Sequence, residues 1–454
     1  MNINTINNAH FIGIGGIGMS NLARYFLSKN IVVSGYDRTE TAITKALIVE
    51  GASIHYADQL DELNDLSSID LVVYTPAIPS NNAQLSFFRD SAVKIMKRAE
   101  VLGLITKQSH CIAVAGTHGK TTTSSIVAHM LEYSKIGCTA FLGGIATNFN
   151  SNFILNKGSE NVVVEADEYD RSFLNLTPDI VILTSIDPDH LDIYGSAENV
   201  QQCFQEFVNL IPETGKLISN YGLSIESNLK KTYGENGAAD FKIFNTRVED
   251  GAHYFDLAYG AEIFDNISLG IPGKHNIYNA AAVFALGIEL GIDHQVIVKS
   301  FSSFKGVKRR FEYHIKTPTL IFIDDYAHHP QEIEATISSV KELFPDKKLT
   351  VVFQPHLFSR TNDFMEEFAA SLSAIDEVIL LDIYPARELP IKGVSSSVLL
   401  EKINCNNKLL LQEKEVVTAL KDRYLEVVLT LGAGDIDQLV FPIKNMLTAK
   451  LEIN

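Results

Sequence analysis

Short runs of apolar residues, each closed by glycine, proline or acidic residues, alternate along the chain with longer stretches whose apolar positions recur at helical spacing. Strands and helices in series imply parallel sheets. In a first block, to about residue 107, His10-Phe11-Ile12 predicts a strand, a glycine turn follows, and Met19 to Ser28 predicts a helix. Ile31 to Tyr36 and Leu71 to Tyr74 predict further strands, and the prolines of Thr75 to Asn82 make that segment a loop.

A second block, 108–312, opens on the strand Cys111 to Ala115 and adds Val162 to Val164 and Ile180 to Leu183. From about 240 to 270 short strands with Gly and Asp turns suggest a peripheral β patch, and Asn279 to Leu290 predicts a helix stopped by Gly291. A third block, 313–454, restarts the alternation with strands at Leu320 to Ile323, Leu349 to Phe353, Val378 to Leu381 and Val427 to Thr430, and a helix at Glu332 to Leu343. The polar, basic stretch Lys305 to Lys316 reads as a hinge. The fold expected is α/β: three domains in series, 1–107, 108–312 and 313–454.

Composition narrows the partners. At 454 residues and 46% hydrophobic the chain has material for several cores, and its net charge of −17, with no basic run longer than Lys308-Arg309-Arg310, argues against nucleic acid. Four widely spaced cysteines without a CxxC pair suit buried, reduced thiols, and no stretch reaches 18 uninterrupted apolar residues. A cytoplasmic protein without membrane insertion is expected; composition fixes no oligomeric state.

The sharpest chemical signal is Gly116-Thr117-His118-Gly119-Lys120-Thr121-Thr122-Thr123, set between a buried-type strand and a helix. Glycines let amides close round phosphate oxygens, a lysine brings a point charge to the terminal phosphates, and the next hydroxyl can meet Mg²⁺. Val114 stands where the full motif needs glycine, so the loop is a shortened variant. Glu165-Ala166-Asp167-Glu168 and Asp187-Pro188-Asp189-His190 end two further strands, so Lys120, Glu165 and His190 should share one sheet edge. Of these, Glu165 is the better Mg²⁺ ligand, a histidine being less usual.

Near the N-terminus Gly13-Ile14-Gly15-Gly16-Ile17-Gly18 fits GxGxxG, and Asp37 ends the second strand. That geometry serves NAD or any nucleoside diphosphate, including a UDP-sugar. Further polar groups stand at Pro272 to Asn276, Asp324 to Pro330, Gln354 to His356, Ser359 to Thr361, Tyr384 to Glu388 and Gly432 to Asp435. Four such strand ends on one edge of the third block look like a site.

The order and spacing of His10 to Ser20, Gly116 to Thr123, Glu165 to Glu168, Asp189-His190, Pro272 to Asn276, Arg309-Arg310-Phe311, Asp325 to Pro330 and Phe353 to His356 resemble the Mur ligases of peptidoglycan synthesis. The resemblance implies a Rossmann-like N-terminal UDP-sugar domain, a central P-loop ATPase-type ATP domain and a Rossmann-like C-terminal domain for the amino acid. It implies that Lys120, with Gly116, Thr117, His118, Gly119, Thr121 and Thr122, meets ATP phosphates, that Thr121 and Glu165 hold one Mg²⁺, and that Glu165 and His190 hold a second. It places His275, Asn276 and Asn279 by the nucleotide, the two asparagines near adenine, Arg310 near the γ-phosphate and Asp325 near the ribose. Gly15, Gly16, Ile17, Gly18, Met19 and Asp37 would lie against UDP, and Tyr326, Arg360 and Arg387 by the amino acid.

The reaction so implied joins L-alanine to the lactyl carboxylate of UDP-N-acetylmuramate. ATP converts the carboxylate to an acyl phosphate, and the amine displaces phosphate. His328 or His356 is the candidate to orient or deprotonate that amine. The family often has arginine where Leu357 follows His356, so Arg360 or Arg387 is expected to take over the alanine carboxylate. Reattachment of a recycled murein tripeptide to the same UDP-sugar is the alternative, disfavoured by the Gly-Gly-Ile-Gly-Met turn. An NAD-dependent oxidoreductase would leave the phosphate loop without a task.

Overall fold

A computed structural model describes residues 3–60, 68–188, 191–249, 251–386 and 388–453. Three sheets follow one another along the chain. The first has five strands, all paired in parallel, in the order Ser53–His55, Val32–Tyr36, Asn8–Ile12, Leu71–Tyr74, Lys94–Lys97. The helix Ile17–Ser28 starts directly on the glycine turn, two residues before the apolar spacing predicts.

The second sheet has ten strands. Its centre sets His110–Ala115 between Ile180–Leu183 and Asn161–Glu165, both parallel to it, so the C-terminal ends of all three open on one edge. These strands are apolar because both faces are covered: residues 111 to 115 are fully buried. Several of this sheet's strands are absent from the sequence reading, among them Thr139–Ala146, Ser151–Ile154, Lys216–Asn220 and Lys230–Gly234. The expected patch of short strands is corrected too. Phe241–Glu249, Ala252–Tyr259 and Glu262–Ser268 are long, and they form one end of this sheet.

The third sheet has six strands in the order Glu312–Lys316, Ile321–Asp325, Val427–Leu431, Leu349–Phe353, Glu377–Leu380, Asn407–Leu410. All pair in parallel except the first, which is antiparallel to Ile321–Asp325. The end of the expected hinge is therefore strand, its alternating Glu312-Tyr313-His314-Ile315-Lys316 fitting an edge position.

By its internal contacts the chain forms two compact units. One comprises Met1–Asn245, Asp256–Ile267 and Tyr278–Lys305; the other comprises Thr246–Phe255, Ser268–Ile277 and Gly306–Asn454. Within the first unit a continuous apolar cluster runs from Phe11, Phe26 and Val101 to Phe173, Phe204 and Phe207. All four cysteines are buried free thiols, and among the described residues no helix is long and apolar enough to cross a membrane.

The helix Arg98–Thr106 approaches the strand-end segment Tyr169–Asn175 through Gly103, where a Cβ would lie 2.3 Å from the Asn175 carbonyl oxygen. Gly103→Ala should gain about 1 kcal/mol of helix propensity yet lose about 1–3 kcal/mol to overpacking against backbone. A net loss of about 1 kcal/mol should lower the melting temperature by about 2–4 °C, measurable by scanning calorimetry; a rise would show that the helices part freely.

Candidate functional site

In the first unit the strand His110–Ala115 delivers the chain to Gly116, whose φ of +134° only glycine holds without strain. A Cβ there would sit 2.1 Å from the Thr184 hydroxyl. Gly119, at φ +82°, starts the helix Lys120–Tyr133, and the first intrahelical bond runs from the Thr123 amide to the Gly119 carbonyl. The amides of residues 120 to 122 thus have no acceptor within the helix, which is what an anion site at a helix N-terminus requires. The neighbouring strand end braces the loop: the His118 amide donates to Ser185 Oγ (2.9 Å), the Thr117 hydroxyl to the Asp187 carbonyl (2.8 Å) and the Thr184 hydroxyl to the His118 carbonyl (2.5 Å).

Lys120 curls back over this turn. Its Nζ donates to the carbonyls of Gly116 (2.6 Å) and Thr117 (3.2 Å) and to both carboxylate oxygens of Glu168 (2.9 and 2.8 Å). Burial works against its charge, but Glu168, Asp167 and Glu165 outweigh it and hold the pKa above the usual lysine value. Burial likewise pushes the Glu168 carboxyl up, to about 7, with Lys120 acting against that rise.

Thr121 and Glu165 meet as expected, with the hydroxyl donating to Oε1 at 3.0 Å. The second oxygen of Glu165 accepts the Gly143 amide at 2.9 Å, an approach that a Cβ at 143, only 2.2 Å from that oxygen, would forbid. A hydroxyl and a carboxylate are hard oxygen donors of the kind Mg²⁺ takes. His190, the third expected ligand, lies outside the described residues, as does Arg387. Asn279 belongs to this site: its Oδ1 is 2.8 Å from where a Gly119 Cβ would stand.

The N-terminal turn is closed by its own aspartate. Asp37 accepts the Gly15 amide at 2.8 Å and the Thr39 amide at 3.1 Å, and Gly15 has no room for a side chain against Asp37 and Thr44. Gly16, Ile17, Gly18 and Met19 lead into the helix, and Arg98 crosses Gly18, where a Cβ would be 2.7 Å from its Nη1, to reach Asp167 at 3.7 Å. Arg98 links the two turns and escaped the sequence reading, as did Ser185 and Gly143; Glu168 was read there as part of the acidic strand end but given no role.

In the second unit Asp325 ends its strand buried, accepting the amides of Phe311 (2.6 Å) and Ala327 (2.7 Å). Burial pushes its carboxyl up to about 6 against the pull of Arg310. Arg310 lies over the Tyr326 ring at 5.0 Å, and Arg309 beside it binds Asp324 (3.2 Å) and the Gly432 carbonyl (2.6 Å). His328 stands next to Tyr326, with ring centres 5.2 Å apart, and to His356, 5.9 Å away. Arg360 reaches His356 Nδ1 at 3.4 Å. Leu357 adopts φ +73°, held by the hydrogen bond its amide donates to the Tyr384 carbonyl at 2.9 Å.

His275 and Asn276 require a correction. The helix begins at Lys274 rather than Asn279, so both lie in its first turn. Gly273, at φ +111°, makes the entry, and the Asn276 side chain donates to the Pro272 carbonyl at 2.5 Å. Burial, with Arg310 and His253 adding to it, pushes the His275 imidazole down to about 4 and keeps it neutral.

Comparison with known proteins matches three successive family models: the Mur ligase family catalytic domain at residues 8–110, the Mur ligase middle domain at 114–287 and the Mur ligase glutamate ligase domain at 309–436. A relative from Christiangramia forsetii, named UDP-N-acetylmuramate–L-alanine ligase, is 48% identical over 449 residues and 98% of each chain. The crystal structure of a UDP-N-acetylmuramate–alanine ligase from Thermotoga maritima superposes with a TM-score of 0.84 at 28% identity, covering 98% of this chain and 100% of that one. A murein peptide ligase from Psychrobacter arcticus shares the fold, with a TM-score of 0.72 at 21% identity over 97% and 98% of the two chains. With near-full-length identity at that level and three models in series, the chain belongs to the Mur ligase family.

Proposed function

We propose that this enzyme joins L-alanine to the lactyl carboxylate of UDP-N-acetylmuramate with ATP, through an acyl phosphate, giving UDP-N-acetylmuramoyl-L-alanine, ADP and phosphate for peptidoglycan synthesis. The observation that carries the reading is the near-full-length identity of 48% to a ligase of that name. The likeness to the murein peptide ligase, at 21% identity, is one of fold alone. The cytoplasm, where UDP-sugars and ATP meet, is its proposed location, and four buried free thiols are in keeping with it.

ATP phosphates would lie on the first-turn amides of the Lys120–Tyr133 helix, with Lys120 opposing the charge on the transferring group. Thr121 and Glu165 fit Mg²⁺ and would hold it, with His190 a further proposed ligand; its charge would offset that of the phosphates. Asn276 and Asn279 are assigned to the adenine, Arg310 to the γ-phosphate, Asp325 to the ribose, and the Gly15–Met19 turn to UDP. Tyr326, Arg360 and Arg387 are assigned to the amino acid. Three domains, 1–107, 108–312 and 313–454, are the division proposed for these tasks.

The two histidines take different roles. His328 Nδ1 is 3.1 Å from the Tyr326 carbonyl and 3.2 Å from Glu332, both acceptors, so its proton sits on Nδ1 and Nε2 carries the lone pair. His356 Nδ1 faces the Arg360 guanidinium, a donor, so its proton sits on Nε2. His328 is the base for the alanine amine, and His356 a hydrogen-bond donor.

Phosphate release from ATP with UDP-N-acetylmuramate should require L-alanine and fail with L-Ala-D-Glu-diaminopimelate; release only with the tripeptide would replace the reading by the recycling one. His328→Ala should lower kcat/KM for L-alanine about 10²-fold, with partial recovery at higher pH as more free amine is present. An unchanged value would remove His328 from the chemistry.

Asp325 makes a prediction of sign. Its folded pKa of about 6 exceeds the ordinary aspartate value of about 4, so the folded state binds the extra proton between them. The group's contribution to stability is full below about pH 4 and lost as pH rises through about 6. The wild type should therefore lose more stability than Asp325→Asn between pH 4.5 and 7.5 (a range of about 3 units) in urea titrations, and equal slopes would contradict the raised pKa.

A further inference from the structure

An ammonium group has three N–H donors. Those of Lys120 point at four oxygens: two loop carbonyls and, at 2.9 and 2.8 Å, both oxygens of Glu168. The carbonyls belong to the phosphate turn itself and stay with it. A phosphate oxygen can gain a donor from Lys120 only where Glu168 now accepts one.

We propose that Glu168 is the resident counter-ion of Lys120, exchanged for the terminal phosphate oxygens when ATP binds. The proposal rests on the reading of the turn as the ATP site. The contact is enclosed, with the Glu168 side chain 4% exposed and Lys120 14%, so bulk water does not weaken it as it weakens surface pairs. Glu168 is held from behind, its carbonyl accepting the Tyr194 hydroxyl at 2.5 Å. The backbone bends directly after it, with Asp170 and Arg171 both at φ +53°. Exchange is therefore a side-chain rotation about a fixed backbone. Without a nucleotide, Glu168 keeps a buried cation from standing unpaired, at the cost of weaker nucleotide binding. It acts through Lys120 and is a positioning residue.

Isothermal titration of the full-length enzyme with Mg²⁺ and the non-hydrolysable analogue AMP-PNP tests this. Glu168→Gln keeps the shape and removes the carboxylate charge opposite the Lys120 ammonium, leaving an amide oxygen as a weaker acceptor, so its Kd should fall about tenfold below wild type. Asp167→Asn removes a neighbouring charge that pairs with Arg98 rather than Lys120 and should change Kd much less. Equal tightening by both variants would reduce the effect to diffuse charge and overturn the exchange. Unchanged or weaker binding by Glu168→Gln, with wild type binding normally, would make Glu168 a support for Lys120 and overturn it while leaving the ATP site in place. No binding by wild type would remove both.

Discussion

A buried cation among carboxylates organises the first unit. Lys120 is drawn between the glycine turn and the acidic end of a neighbouring strand, whose carboxylates offset the burial that works against its charge. Only the adjacency of His110–Ala115 and Asn161–Glu165, paired in parallel, brings Glu165 and Glu168 to it from one edge. The constraints nearby serve that arrangement: Gly143 lacks a side chain that would block Glu165, Gly116 lacks one that would strike Thr184, and the third strand end, through Thr184, Ser185 and Asp187, braces the turn.

The second unit repeats the device with the signs reversed. There the buried group is a carboxylate, Asp325, and two backbone amides with Arg310 nearby compensate it only in part. In both units the C-terminal strand edge gathers groups that burial makes reluctant to carry charge, and such groups respond most to a charged ligand.

Much of this was legible in the sequence because it is local. A glycine-lysine-threonine turn after an apolar strand carries its own geometry, and so does an aspartate one residue beyond the second strand, which the structure finds on the Gly15 amide. Strands buried on both faces stood out as apolar runs, unbroken in Ile180–Leu183 and interrupted only by Thr350 in Leu349–Phe353. What escaped depends on distant segments. Thr139–Ala146 carries two adjacent glycines that weaken its strand signal, and they are there because Glu165 presses against one of them. Arg98 reads as an ordinary helix-start residue until Gly18 and Asp167 are brought to it by the fold. The helix start at Lys274 was hidden because His275 and Asn276 look like loop residues, and only the left-handed Gly273 reveals the turn before them.

The four-oxygen cage around Lys120 also bears on inhibitor chemistry. A compound aimed at the phosphate turn meets an ammonium whose hydrogen bonds are already made, two of them to a carboxylate. An uncharged phosphate surrogate offers weaker acceptors than the ones it must displace. On the proposed exchange, the turn selects for ligands carrying anionic oxygens over neutral mimics.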